Sequence, residues 1–100
     1  MSRVLSLVTF RIESCHRDEF LRRAQAELKP YWESHGSERY EVYEEMGPTG
    51  PTGRLVELNI VKDREAYHAM TLHVRTAHDL PAVAYRHVTD PQYQVMEWRA

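Results

Sequence analysis

The sequence predicts an α+β domain in which two helices cover one face of a four-stranded antiparallel sheet. Three observations carry that expectation. The first strand candidate is apolar on both faces, strand-like and helix-like segments alternate in a fixed order, and 100 residues suffice for one core. A strand that is apolar on both sides needs cover on both, and this chain has helix enough for one. The second sheet face is therefore expected to meet another copy of the chain.

Residues 3–12 place Val4, Val8, Phe10 and Ile12 on one side and Leu5 and Leu7 on the other. Ser14 then stands where a helix N-cap belongs, and Asp18 and Glu19 bring negative charge near the helix start. Phe20, Ala24, Leu28, Tyr31, Trp32 and His35 recur every three or four residues as a buried stripe, and Gly36 stops it. Pro30 falls inside the stripe, where a straight helix would lose about 3 kcal/mol, so a kink or break is expected there. Residues 39–46 set Tyr40, Val42 and Met46 against Arg39, Glu41, Tyr43 and Glu45 as a second strand. Gly-Pro-Thr-Gly-Pro-Thr-Gly at 47–53 reads as a hairpin loop.

Residues 54–61 form the third strand, with Val56, Leu58 and Ile60 on one face and Leu55, Glu57, Asn59 and Val61 on the other. Asp63 caps a second helix whose stripe is Ala66, Tyr67, Met70, Val74 and Ala77. Asp79, Leu80 and Pro81 open a short helical segment that Thr89, Asp90 and Pro91 close. Residues 93–99 alternate Tyr93, Val95 and Glu97 against Gln94, Met96 and Trp98 as the last strand. Strand, helix, strand, strand, helix, strand is the βαββαβ order of the ferredoxin-like fold, expected as a single domain over residues 1–100.

Thirteen Lys and Arg against 15 Asp and Glu leave a formal charge of −2, and no stretch gathers basic residues, which excludes the usual footprint of nucleic-acid binding. The apolar run 4–10 is broken by Ser6 and Thr9 and is too short to span a bilayer. No signal-peptide or lipidation pattern follows it, so a cytoplasmic protein with no membrane partner is expected. Cys15 stands alone, which rules out an internal disulfide framework and a thiolate metal cluster within one chain. His68, His73 and His78 are spaced by five, a net rotation of about 140° per step on a helix. They share no face, and no metal site is expected from them.

Polar residues among apolar ones on strands suggest a cavity. If the Val56, Leu58 and Ile60 face meets the helices, Glu57 and Asn59 point toward the partner sheet, joined by Tyr43 and Arg11 from neighbouring strands. The competing reading makes Glu57, Arg11 and Glu97 ion pairs at a dimer seam or at strand ends.

With Pro30, Trp32, His35-Gly36 and Tyr40 in residues 28–43, and Glu65-Ala66-Tyr67 in 63–70, the chain resembles the dimeric α+β barrel superfamily. That superfamily includes antibiotic-biosynthesis-type monooxygenases, haem-degrading monooxygenases, muconolactone-isomerase-like proteins and stress-responsive barrel proteins. The resemblance implies a homodimer joined through the open sheet face, with a cavity for a small apolar or aromatic molecule. The leading expectation is cofactor-independent oxidation of an aromatic or quinol substrate, with Tyr43 and Asn59 as catalytic groups and Arg11, Trp32 and Glu57 contacting substrate. A non-enzymatic interaction or stress-associated barrel is the first alternative. Haem binding is the second. Haem-degrading members would carry an Asn on the first strand and a Trp on the second helix; here the first strand has no Asn and Met70 stands about where the Trp would be. Only His78, or less well His73, then matches as an iron ligand.

Overall fold

A computed structural model describes residues 2–76 and 83–100, with backbone alone for 73–76. Strands β1 (Val4–Arg11), β2 (Ser37–Gly47), β3 (Gly50–Val61) and β4 (Thr89–Glu97) make one antiparallel sheet in the order β2-β3-β1-β4. Helices α1 (Ser14–Arg23), α2 (Lys29–Ser34) and α3 (Arg64–Thr76) complete a ferredoxin-like α+β fold, with a π-helical segment, Ala24–Leu28, joining α1 to α2. Overall extents of 39 × 34 × 21 Å match two layers, one of sheet and one of helix.

The break expected at Pro30 takes the form of the π segment immediately before it. Proline returns no N–H to the preceding turn and crowds its carbonyl, and a widened turn relieves both faults. Pro30 then sits in the first turn of α2, where proline is tolerated. The stripe survives: Phe20, Ala24, Leu28 and Trp32 are all buried. At the start of α1 the expected cap moves back by one residue. Glu13, extended at φ −63° and ψ 146°, holds the N-cap position without a side-chain bond, and its carbonyl accepts the His16 N–H at 2.9 Å.

Asp63 caps α3 as expected. Its Oδ1 accepts the Ala66 N–H at 2.8 Å, and its carbonyl accepts the Tyr67 N–H at 3.1 Å. Asp63→Ala should therefore lower stability by about 1 kcal/mol, read as a shifted urea midpoint at unchanged slope; an unshifted midpoint would deny the cap any weight.

Pairing in the β2–β3 hairpin runs on to Met46↔Pro51 and Gly47↔Gly50, so the turn is tighter than a seven-residue loop and β3 begins at Gly50. Gly50, at φ +130°, supplies a conformation that side-chain-bearing residues rarely adopt. Strand β4 likewise begins at Thr89, four residues before the expected start.

Register decides which residues meet the helices. Val4↔Val61, Val8↔Glu57 and Phe10↔Leu55 are opposed between β1 and β3, and Tyr40↔Asn59 between β2 and β3. Directly opposed residues share a face, so Leu55, Glu57, Asn59 and Val61 stand with Val4, Phe10 and Tyr40, and all seven are buried. This overturns the expected facing of β3. Glu57 and Asn59 lie beneath the helices, while Val56, Leu58 and Ile60 share the open face with Leu5 and Leu7 and are only half-buried. The reason is chemical: the hydroxyl donors that make a buried carboxyl tolerable reach it from the helix side.

Among the described residues, no helix is long and apolar enough to cross a membrane.

Candidate functional site

Glu57 is 4 % exposed in the middle of β3. Tyr40, one strand over and diagonal to it, donates its hydroxyl to Glu57 Oε2 at 2.6 Å. Tyr85, in the turn at 85–87, donates to the same oxygen at 2.6 Å and itself accepts the Trp32 indole N–H at 3.0 Å. A buried carboxyl is thus held by a chain of donors starting on α2. Among the described residues no basic side chain forms an ion pair with it.

Burial pushes the Glu57 carboxyl above its ordinary value of 4.5, while the two phenols pull in the opposite direction without cancelling the effect. The same burial, together with the nearby carboxylate, keeps the Tyr40 and Tyr85 phenols protonated far into the alkaline range. Both phenols donate to Oε2, so the proton of the acid form belongs on Oε1.

A cavity of about 680 Å³ opens beside this network, between the sheet and α3. Its floor is Ser6, Val8 and Phe10 of β1 with Glu57 and Asn59 of β3. Trp32, Tyr67, Met70 and Thr71 from the helices wall it, and Tyr85, Val88, Pro91 and Tyr93 complete its described lining. Asn59 is 5 % exposed, and its Oδ1 accepts no hydrogen bond. Burying such an oxygen unpaired costs about 1–3 kcal/mol.

Trp32, Glu57 and Asn59 of the expected site therefore converge on one cavity. Tyr43 and Arg11 do not. Tyr43 is 49 % exposed on the open face, where it donates to Glu41 Oε1 at 2.8 Å. Arg11 is exposed at the end of β1, opposed to Arg54. Arg11 opposes Arg54 and Tyr43 opposes Val56, so both share the open face and alternation directs them away from Glu57. Within the single chain, and among the described residues, Glu97 pairs with Arg64 and with Arg99, the latter at 3.0 Å, as the ion-pair alternative expects of a strand end. His73 and His78 lie outside the residues whose side chains are described.

The sequence reading missed Tyr85 and Tyr40 as site residues. A signal for Tyr40 was present: a hairpin of strands 2 and 3 can set a strand tyrosine and a strand glutamate on one face, and each needs a hydrogen-bond partner there. Tyr85 carried no such signal, because its approach depends on a turn outside the regular elements.

The fold and this cavity define an α+β sandwich open on one sheet face. No protein-family profile and no curated protein matches the chain by sequence. Solved structures do match over nearly its full length. A dimeric ferredoxin-like protein from an uncultured marine organism shares 16 % identity at a TM-score of 0.68, covering 98 % of this chain and 94 % of the other. An antibiotic-biosynthesis-monooxygenase-like protein from Bacillus cereus shares 13 % at 0.67, covering 100 % and 96 %. A NIPSNAP family protein of unknown function from Agrobacterium tumefaciens shares 11 % at 0.70, covering 95 % and 86 %. These likenesses show the expected ferredoxin-like α+β fold.

Proposed function

We propose that the chain works as a homodimer in which each protomer holds a small apolar or aromatic molecule between the sheet and α3, with Trp32, Glu57 and Asn59 as its contacts. One observation carries this reading: a cavity of about 680 Å³ set around a buried carboxyl and an unpaired amide oxygen. That volume lies within the range of small-molecule pockets. The half-buried Leu5, Leu7, Val56, Leu58 and Ile60 support the dimer, because a second sheet would remove them from water. The dimeric ferredoxin-like structure gives the same support.

The enzymatic form of this proposal is cofactor-independent oxidation of an aromatic or quinol substrate, for which the monooxygenase-like neighbour offers support by fold alone. Such a reaction needs an apolar cage and a group that takes a proton from the substrate. Glu57 is that group, since burial has made it a stronger base than an exposed carboxylate. Tyr43 and Arg11 face the other way, outside this cavity.

Oxygen uptake with a panel of quinols tests the activity. Turnover should fall at least about 100-fold in Glu57→Gln and stay unchanged in Tyr43→Phe. If no quinol is consumed and no aromatic compound raises the melting temperature, the chain is an interaction protein whose open sheet face is its working part. Haem binding rests on His78 or His73 and would appear as a Soret shift on adding haemin that His78→Ala and His73→Ala abolish.

A further inference from the structure

Three aromatic side chains around Glu57 commit their only donors to one another and to a single carboxyl oxygen. The Trp32 indole N–H goes to the Tyr85 hydroxyl at 3.0 Å, and the Tyr85 proton goes on to Glu57 Oε2 at 2.6 Å. Tyr40 gives its own proton to the same oxygen at 2.6 Å. With one donor apiece, none of the three retains one for a bound molecule. Oε1 is in the opposite position. It accepts nothing among the described residues and, unlike Asn59 Oδ1, is not fully enclosed, while Glu57 itself lines the cavity.

Resting on the reading of this cavity as a binding chamber, we infer that Tyr40 and Tyr85 are positioning residues: by filling Oε2 they leave Oε1 as the carboxyl oxygen offered to the ligand, and Trp32 acts on it through Tyr85. The restraint comes from three separate places in the fold, β2 for Tyr40, the turn at 85–87 for Tyr85 and α2 for Trp32. A glutamate free to rotate would exchange its two oxygens, whereas two short bonds to one of them, at the length of charge-assisted O–H donation, hold the group in one orientation. The indole N–H polarises the Tyr85 hydroxyl and strengthens its donation. A ligand hydroxyl then donates to Oε1, and does so roughly twice as strongly once the carboxyl is ionised. Burial holds the Glu57 carboxyl up and both phenols draw it down, so losing either phenol should carry its titration further up. The other titratable side chains in the described lining are Tyr67 of α3 and Tyr93 of β4.

The carboxyl is followed by its carbon NMR shift, assigned through Glu57→Gln, and naphthol serves as the ligand probe, with its affinity read by calorimetry across pH. In Tyr85→Phe and in Tyr40→Phe the Glu57 titration should rise by about one pH unit, and in Trp32→Phe, which keeps an aromatic wall, by less. Naphthol should bind about tenfold more tightly as wild-type Glu57 ionises. That increase should move to higher pH with the titration in each variant and disappear in Glu57→Gln. Tyr43→Phe, altered on the open face, should leave both curves in place. Each variant removes a different donor, so one that fails to fold leaves the others to decide. A Glu57 titration unmoved in the folded variants would overturn the positioning role, even while naphthol binds and the chamber stands. A titration that moves without the naphthol curve, or a pH dependence of binding that survives Glu57→Gln, would mean that the ligand does not meet Oε1 and would overturn it equally. Naphthol that binds at no pH would remove the chamber itself, and this inference with it.

Discussion

Leu7→Glu is expected to convert the proposed dimer into monomers that keep the native fold. Leu7 and Leu58 are opposed at the middle of the two central strands, on the face that no helix covers. A second sheet laid over them would bury both. A carboxylate placed there has no partner, and a two-fold interface presents the fault twice. Losing several kcal/mol in this way weakens association by at least about a thousandfold. The monomer itself should survive, because Leu7 is only half-buried in the single chain and the core lies on the other face. Sedimentation velocity at micromolar concentration reads the mass, and far-UV circular dichroism reads the fold. A wild-type protein that sediments as a monomer would refute the dimer outright, and a Leu7→Glu variant that stays dimeric would place its interface elsewhere.

That face illustrates what the sequence conveyed and what it withheld. Alternation in β1 showed two apolar sides, and the order of elements followed from periodicities of two and of three to four. Which side of β3 faces inward was misread for a physical reason. Val56, Leu58 and Ile60 form an uninterrupted apolar row, the ordinary mark of a core, whereas Glu57 and Asn59 interrupt theirs. An inward glutamate becomes tolerable only when donors meet it, and one of those donors, Tyr85, is 28 positions away in a turn that no periodicity announces. The hairpin misled in a related way. Glycine and proline at 47–53 suggested an unpaired loop, yet the end of a two-stranded ribbon accepts Pro51, because its missing N–H weakens only a terminal rung. The same parity error placed Tyr43 and Arg11 in the site: once β3 turns over, every neighbour assigned by alternation changes sides with it.

Glu57 allows the second large effect to be tested with its sign. In Glu57→Leu the Tyr40 and Tyr85 hydroxyls lose their acceptor inside the protein, at about 1–3 kcal/mol each. Relief from burying the carboxyl offsets part of this, so a net loss of about 2–4 kcal/mol is expected from chemical denaturation. Adding Tyr40→Phe should recover some of it, since removing both partners of a buried bond costs less than removing one. Glu57→Gln behaves differently, because its amide oxygen still accepts from both phenols and carries no charge. The wild-type carboxyl titrates above 4.5 in the folded chain, so the folded state holds that proton more tightly than the unfolded state does. Its contribution to stability is complete below the ordinary carboxylate value and is lost as pH rises through the elevated one. Relative to Glu57→Gln, the wild type should therefore lose stability progressively as pH climbs from 4.5 toward neutrality. The carboxylates of Glu19 and Glu41, held below their ordinary values mainly by side-chain bonds, from Arg23 and Tyr43 respectively, are common to both proteins and cancel in that difference. Denaturation midpoints of the two proteins across this range decide the matter. A difference that stays constant with pH would mean that Glu57 titrates like an exposed carboxyl, and its role as a strengthened base would fall.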